Sequence, residues 1–263
     1  WDAVHLMAAE LMVRQPGIYG IHTVTSANAL HYAYRSAAYP VTRLLLVLQA
    51  VGWMTQFREF MATARGGLNK GDITNAAALL WRIDQEGVDV GDRWSELAEY
   101  SAARVGEHVL VFADAHYMLS LASDPEHRED ARKMVETSAD YAARDDESQT
   151  AVMRAGGAKL CRAILAYREG DYGGCIDALY PVRFQVRHMG GSHAQRDVFH
   201  QILIEAAIRA GRLNLARSLL SERLQQRPGS MLSWRRYAGV LDGVGDVAGA
   251  AHARETAARL RPV

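Results

Sequence analysis

Two glycines, Gly211 and Gly245, stand 34 residues apart, and so do two prolines, Pro228 and Pro262. A fixed period of this length is the mark of a chain built from stacked helical units. Gly211–Arg212–Leu213 leads through Ala216, Leu220 and Arg223 to Pro228, and Gly245–Asp246–Val247 leads through Ala250, Arg254 and Ala257 to Pro262. Each glycine can end a helix in a tight turn. The alanine five positions later lets the next helix pack closely, and the proline opens the following unit. One helix pair cannot bury its own apolar face, so neighbouring pairs must stack.

The pattern extends upstream. Gly170–Asp171–Tyr172, with Cys175 and Ile176, is a third copy displaced by 41 residues from Gly211. About seven extra residues lie between, among them Gly190–Gly191–Ser192. Gly71–Asp72–Ile73, with Ala76 and Leu80, is a weaker fourth copy. A 34-residue spacing is the tetratricopeptide period. Trp234, Tyr237, Ala238 and Leu241 then fill the first-helix positions of the last unit. The expected fold class is all-α: a right-handed tetratricopeptide-type α-solenoid of antiparallel helix pairs.

Apolar positions recur at three and four residues almost throughout, and strand-like alternation is scarce. Helices are expected at Asp2–Arg14, Thr23–Ser36, Val41–Arg65, Ile73–Glu86, Arg93–Val105, Glu107–Ala122, Arg128–Ala143, Ser148–Arg168, Tyr172–His188, Ser192–Ala210, Leu213–Gln226, Leu232–Gly243 and Val247–Arg259. Thr23, Thr25 and Ser26 are candidate caps. Trp53, Trp81, Trp94 and Trp234 fall at core spacing. We expect an N-terminal helical segment over 1–69 and a repeat domain over 70–263, with Gly66–Gly67 and Asn69–Lys70 as the junction.

Charge and composition narrow the function classes. Thirty basic and thirty acidic residues cancel, which leaves no footprint for nucleic acid or an anionic membrane. Hydrophobic residues make up 49%, enough for a sizeable core. Cys161 and Cys175 are too few for a disulfide scaffold, so two semi-buried thiols in a reducing compartment and a cytoplasmic location are expected. The most apolar stretch, Leu44–Trp53, is too short for a membrane span and is followed by Arg58 and Glu59. No signal peptide is visible. The start at Trp1, already inside a helical pattern, leads us to expect a piece of a longer protein. Gly-rich phosphate loops, nucleophile elbows and HExxH motifs are absent from the sequence.

The residues with most chemistry lie in Gly190–Phe199 (GGSHAQRDVF) and before and within the Phe112–His116 string. Ser192 can cap a helix whose first turns carry His193, Gln195, Arg196 and Asp197. Arg196 could pair with a carboxylate from a neighbouring helix. This cluster reads either as a buried Arg–Asp network that fixes the inserted turn, or as a head that binds a carboxylate or peptide. On a helix, His108 and His116 share a face, two turns apart, while Asp114 and His116 point roughly 200° apart. His108, His116 and His193 could together hold a metal, since imidazole suits zinc, iron or nickel. The competing reading makes them polar groups satisfying helix ends along a groove.

Two resemblances add to this. Residues about 70–263 resemble the C-terminal half of the tetratricopeptide repeat protein 38 family. The similarity is carried by Ala78–Trp94 (ALLWRIDQEGVDVGDRW), Val111–Ala122 (VFADAHYMLSLA), Gly190–Ile204 (GGSHAQRDVFHQILI) and Ala216–Pro228 (ARSLLSERLQQRP). That resemblance implies helical repeats and a soluble protein, and it names no reaction. Relatives can carry asparagine where this chain has His193. Residues about 1–60 resemble questin oxidase-like proteins, through Arg14–Ala33 (RQPGIYGIHTVTSANALHYA) and the apolar helix containing Leu48–Gln49–Ala50. That family includes non-haem iron oxygenases acting on polycyclic aromatic quinones. The resemblance implies a metal-binding role for His22, which precedes a Val-Thr pair, with further iron ligands upstream. His5, His31 and Glu10 could contribute to such a site.

The leading expectation is a non-enzymatic repeat scaffold whose concave groove binds a peptide, partner protein or small molecule. The expected groove residues are His108, Asp114, His116, His193, Gln195, Arg196 and Asp197. The alternative is part of a metal-dependent oxygenase using iron or another divalent metal at His22. Nucleic acid and membrane are not expected partners, and a homo-oligomer is compatible with either reading.

Overall fold

The computed structural model describes residues 1–14, 18–63, 70–145 and 147–260. Every regular element among them is helical. The chain divides into two compact units, Trp1–Leu79 and Leu80–Val263. The expected junction at 66–69, the Pro16–Gly17 stop, Asp146 and Pro262 lie outside the described residues.

In the first unit, α1 (Asp2–Arg14), α2 (Ile18–Ser36) and α3 (Pro40–Thr63) pack on one another. Val4, Ala8, Ala27, Ala50 and Met54 form the core, walled by Trp1, Met7, Val24, Leu30 and Phe57. Three of those five core residues are alanine, which lets helix axes approach closely. Thr23 is not a helix cap, because α2 already begins at Ile18. Its buried hydroxyl instead contacts two backbone carbonyls, Gly20 at 2.6 Å and, across on α1, Ala8 at 3.0 Å. The apolar stretch of α3 is largely exposed, with Val41, Leu44, Leu45, Leu48 and Val51 all facing outward. Trp53 departs from the core role its spacing suggests: it is exposed and meets Phe57 edge-on. Helix α4 (Lys70–Gln85) carries the division between the units, and Gly71 and Asp72 lie inside its first turn.

The second unit is organised around α6 (Val111–Ser123). Every residue from Val111 to Ala122 is buried, the polar Asp114, His116 and Ser120 among them. It packs against α5 (Arg93–Ala102), α7 (Arg128–Ala142) and α9 (Ala158–Arg168). The helix starts later than Glu107. Gly106 and His108 adopt positive φ of 90° and 45°, which places His108 in the preceding loop and off the helix face expected for it. The expected helix at Ser148–Arg168 is also interrupted. A short α8 (Thr150–Val152) runs into a π turn, Met153–Gly157, before α9. The turn brings Gly157 onto the Val111 side chain, where a Cβ would overlap Cγ1.

The periodic glycines build one turn three times. α9 passes to α10 (Tyr172–Leu179) at Gly170, α11 (His193–Arg209) to α12 (Leu213–Gln226) at Gly211, and α13 (Met231–Gly243) to α14 (Val247–Arg259) at Gly245. The three glycines have φ of 83°, 69° and 82°. In each turn the residue after the glycine donates its N–H to a carbonyl five residues back, at 2.9 Å: Asp171 to Ala166, Arg212 to Ala207, Asp246 to Leu241. This bond satisfies carbonyls that a helix end leaves bare. Asp171 and Asp246 then cap the next helix, accepting from the N–H of Gly174 and Gly249. Ala216 and Ala250, the small residues that follow, are fully buried. In the last pair Ala238, Leu241, Ala250 and Ala253 form the core, with Trp234 and Tyr237 against it.

The helix expected over Tyr172–His188 stops at Leu179. Pro181 has no N–H to continue it. Two 3₁₀ segments, Tyr180–Val182 and Gln185–Met189, lead to the Gly190–Gly191 turn. That irregular stretch positions the site.

Candidate ligand-binding cleft

Ser192 caps α11 in a capping box. Its Oγ accepts from the Gln195 N–H at 3.2 Å, and the Gln195 Oε1 accepts from the Ser192 N–H at 2.8 Å. Gln195, expected in a groove, is thus engaged at the helix start. Among the described residues, no carboxylate pairs with Arg196. Its Nη1 donates to the carbonyls of Gly190, at 2.9 Å, and Gly191. The guanidinium therefore closes the double-glycine turn from which its own helix departs. Gly191, with φ 71°, lies over the Phe112 ring so closely that a Cβ would collide with it.

Asp197 is the residue that pairs across helices. Both its oxygens accept from Arg223 of α12, Oδ1 from Nη1 and Oδ2 from Nη2, the latter at 2.9 Å. Gln201 Nε2 donates to Oδ2 at 2.6 Å, and Arg227 Nη1 approaches it at 3.4 Å. Burial alone would raise the Asp197 pKa. The Arg223 bonds and charge, with Gln201 and Arg227, outweigh it and hold the carboxyl below its usual range. The Arg223 Nε also donates to Ser233 Oγ at 2.9 Å, which ties α13 to the same network.

These groups flank a cleft of about 270 Å³ between the 183–187 stretch, α11 and α12. Arg183, Arg187, Arg196, Arg223 and Arg227 all line it, together with His193 and His200. Among the described residues, two that line it are acidic, Asp197 and Glu222. Apolar wall is supplied by Phe184, Leu203, Ile204 and Leu219. The Arg183 guanidinium lies 4.1 Å from the ring centres of both Tyr180 and Phe184, which fixes its plane. His193 and Arg196 sit in the first turn of α11, where the helix dipole adds positive potential. The arrangement suits binding. Its carboxylate Asp197 is saturated by donors and kept ionised, which does not suit a proton acceptor.

Of the expected groove residues, His193, Arg196 and Asp197 come together here. His108, Asp114 and His116 do not line the cleft. They are buried around α6. His108 Nδ1 lies 3.3 Å from Asp114 Oδ2, and the His108 ring packs on Tyr141 at 5.0 Å. His116 Nδ1 donates to the Phe112 carbonyl at 2.7 Å, and the ring is wedged between Phe112 and Phe199. Burial, with the nearby Arg82 charge, pulls the His116 pKa down to about 4 despite that bond. The ring is therefore neutral near pH 7. Among the described residues, no three His, Cys, Asp or Glu side chains gather as a metal-ligand set. His22 is exposed on α2, and Trp1, His5 and His31 form a ring cluster with Trp1 and His31 stacked at 4.7 Å. Burial pushes both thiols, Cys161 and Cys175, up to about 12, so neither is a ready nucleophile.

Sequence reasoning missed Arg183, Arg187, His200 and Arg227, and took Arg223 only as a repeat position. The signal was present in the spacing of Arg223 and Arg227, one helical turn apart at the end of α12. Nothing in the sequence says that the 183–187 stretch folds back beside them. No known family model matches this chain, and no solved structure matches it.

Proposed function

We propose that the chain is a tetratricopeptide-type helical-repeat protein whose cleft between residues 183 and 227 binds a peptide, partner protein or small-molecule ligand. The observation that carries this reading is the cleft itself: five arginines and an apolar wall, assembled by the insertion that interrupts the repeat period. The three matching glycine turns support stacked antiparallel helix pairs and, with them, the solenoid. Such scaffolds present rigid concave surfaces on which a few side chains set specificity. The Asp197–Arg223 bridge and the Arg196 clasp on the double glycine hold the cleft walls in place before a ligand arrives, which lowers the cost of binding.

The test is protein-observed NMR with a panel of small acids, phosphates and short peptides. Saturable shifts are expected at His193, His200, Leu203, Ile204 and Leu219, and Gln226→Trp, which fills the cleft from its exposed rim, should abolish them. Binding that maps elsewhere, or survives Gln226→Trp, would overturn the proposal.

A further inference from the structure

The charge balance of the cleft specifies its ligand more closely. This step rests on the binding role just proposed. Five arginines face two carboxylates, an excess of three positive charges before either histidine is counted. Asp197 cannot neutralise more than it already does. Its oxygens are filled by two Arg223 donors and Gln201, and Arg227 is left at 3.4 Å as a second, looser cation. Arg187 is exposed, and its Nε donates sideways to His188 Nε2 at 3.1 Å. Arg183 is clamped by two rings. Guanidinium groups thus enter the cleft from three separate segments. A planar carboxylate offers two oxygens in one plane and one charge. A phosphate monoester offers three oxygens in tetrahedral directions and close to two charges, which answers both the number and the spread of the donors. Phe184, Leu203, Ile204 and Leu219 leave an apolar wall beside them. At about 270 Å³ the space holds a group the size of one substituted ring, not an extended chain.

We infer that the cleft binds a phosphate monoester carried on an aromatic or compact apolar group, with Arg187 and Arg227 as the arginines that turn to the phosphate. The shared chemistry is the aryl phosphate, whether it arrives as a free ester or as a phosphorylated side chain of a protein.

The experiment is calorimetric titration of the full chain with phenyl phosphate, benzoate and benzyl alcohol, and with a phosphotyrosine pentapeptide. Phenyl phosphate is expected to bind at least about tenfold more tightly than benzoate, and benzyl alcohol more weakly still. Its affinity should fall several-fold between about 0.05 M and about 0.5 M sodium chloride. Arg187→Gln and Arg227→Gln should each cost about tenfold or more, with the far-ultraviolet dichroism unchanged. The salt titration needs no variant and so stands even if a substitution perturbs folding. A phosphopeptide that binds more tightly than phenyl phosphate assigns the source to protein. One that binds no better assigns it to a free ester, and both outcomes support the inference. Benzyl alcohol binding in the cleft as tightly as phenyl phosphate would overturn the phosphate assignment and leave the binding role standing. No binding by any of the four probes would overturn the phosphate assignment alone. The binding role would fall separately, if the broader panel also left the cleft unshifted.

Discussion

Asp197 and Arg223 meet at two points across the α11–α12 interface, and both side chains are largely withdrawn from solvent. A bridge of this kind gains little over an apolar pair, but breaking one half strands a buried charge. Asp197→Ala should lower unfolding free energy by about 3 kcal/mol in urea titrations. The native Asp197 pKa lies below the ordinary value of 3.8. Its contribution is therefore complete above that value and is lost as pH falls through the lower, native pKa. Asp197→Asn should flatten the stability curve below about pH 4 and leave its shape above that range unchanged.

His116 supplies the opposite end of the acid range. It is neutral in the folded chain down to about pH 4, while in the unfolded chain it takes a proton near 6.5. Between those values the unfolded state binds more protons, so stability falls as the pH drops. The loss across the window is roughly 3 kcal/mol. His116→Met, which keeps volume and removes the titration, should erase this slope and change stability little at pH 7. Urea midpoints measured at half-unit pH steps would show it. A slope that persists in the variant means another group carries it.

How much of this was legible beforehand follows from which forces act locally. Gly170, Gly211 and Gly245 were readable because a left-handed turn admits few other residues, and the four helices from Ser192 to Arg259 lie within a residue of their expected bounds, while those flanking Gly170 do not. Ser192 was readable as a cap for the same local reason. The cleft was not, because it depends on Pro181 ending α10 early and on the following stretch folding back beside α12. His108 and His116 drew attention as polar residues at helical spacing. The positive φ of His108 and the complete burial of α6 are tertiary outcomes that no spacing rule contains.

The contact between Gly157 and Val111 predicts a specific coupling. A methyl group on Gly157 would overlap Val111 Cγ1 and lie 2.8 Å from Met153 Sδ. Gly157→Ala should cost about 2 kcal/mol through overpacking. Adding Val111→Ala should recover part of that loss, so the double variant will be more stable than the two single effects summed. Strict additivity in thermal unfolding would show that the two sites are not in contact.

Thr23 makes a comparable prediction for the first unit. Its hydroxyl is fully buried and reaches the carbonyl of Ala8 on the neighbouring helix. Thr23→Val keeps the shape and removes the donor, and should cost about 1 kcal/mol. Thr23→Ser retains the donor at smaller volume. If hydrogen bonding is what ties α1 to α2, the Ser variant will show more protection of α1 amides from hydrogen exchange than the Val variant. The reverse order would assign the contact to packing alone.

The most direct test of the cleft as an aryl phosphate site is a crystal structure of the full chain with phenyl phosphate. The account predicts density between Arg187 and Arg227, with the phosphate on their guanidinium groups and the ring against Leu203 and Leu219. Ligand density confined to other surfaces, with the cleft empty at saturating ligand, would contradict it.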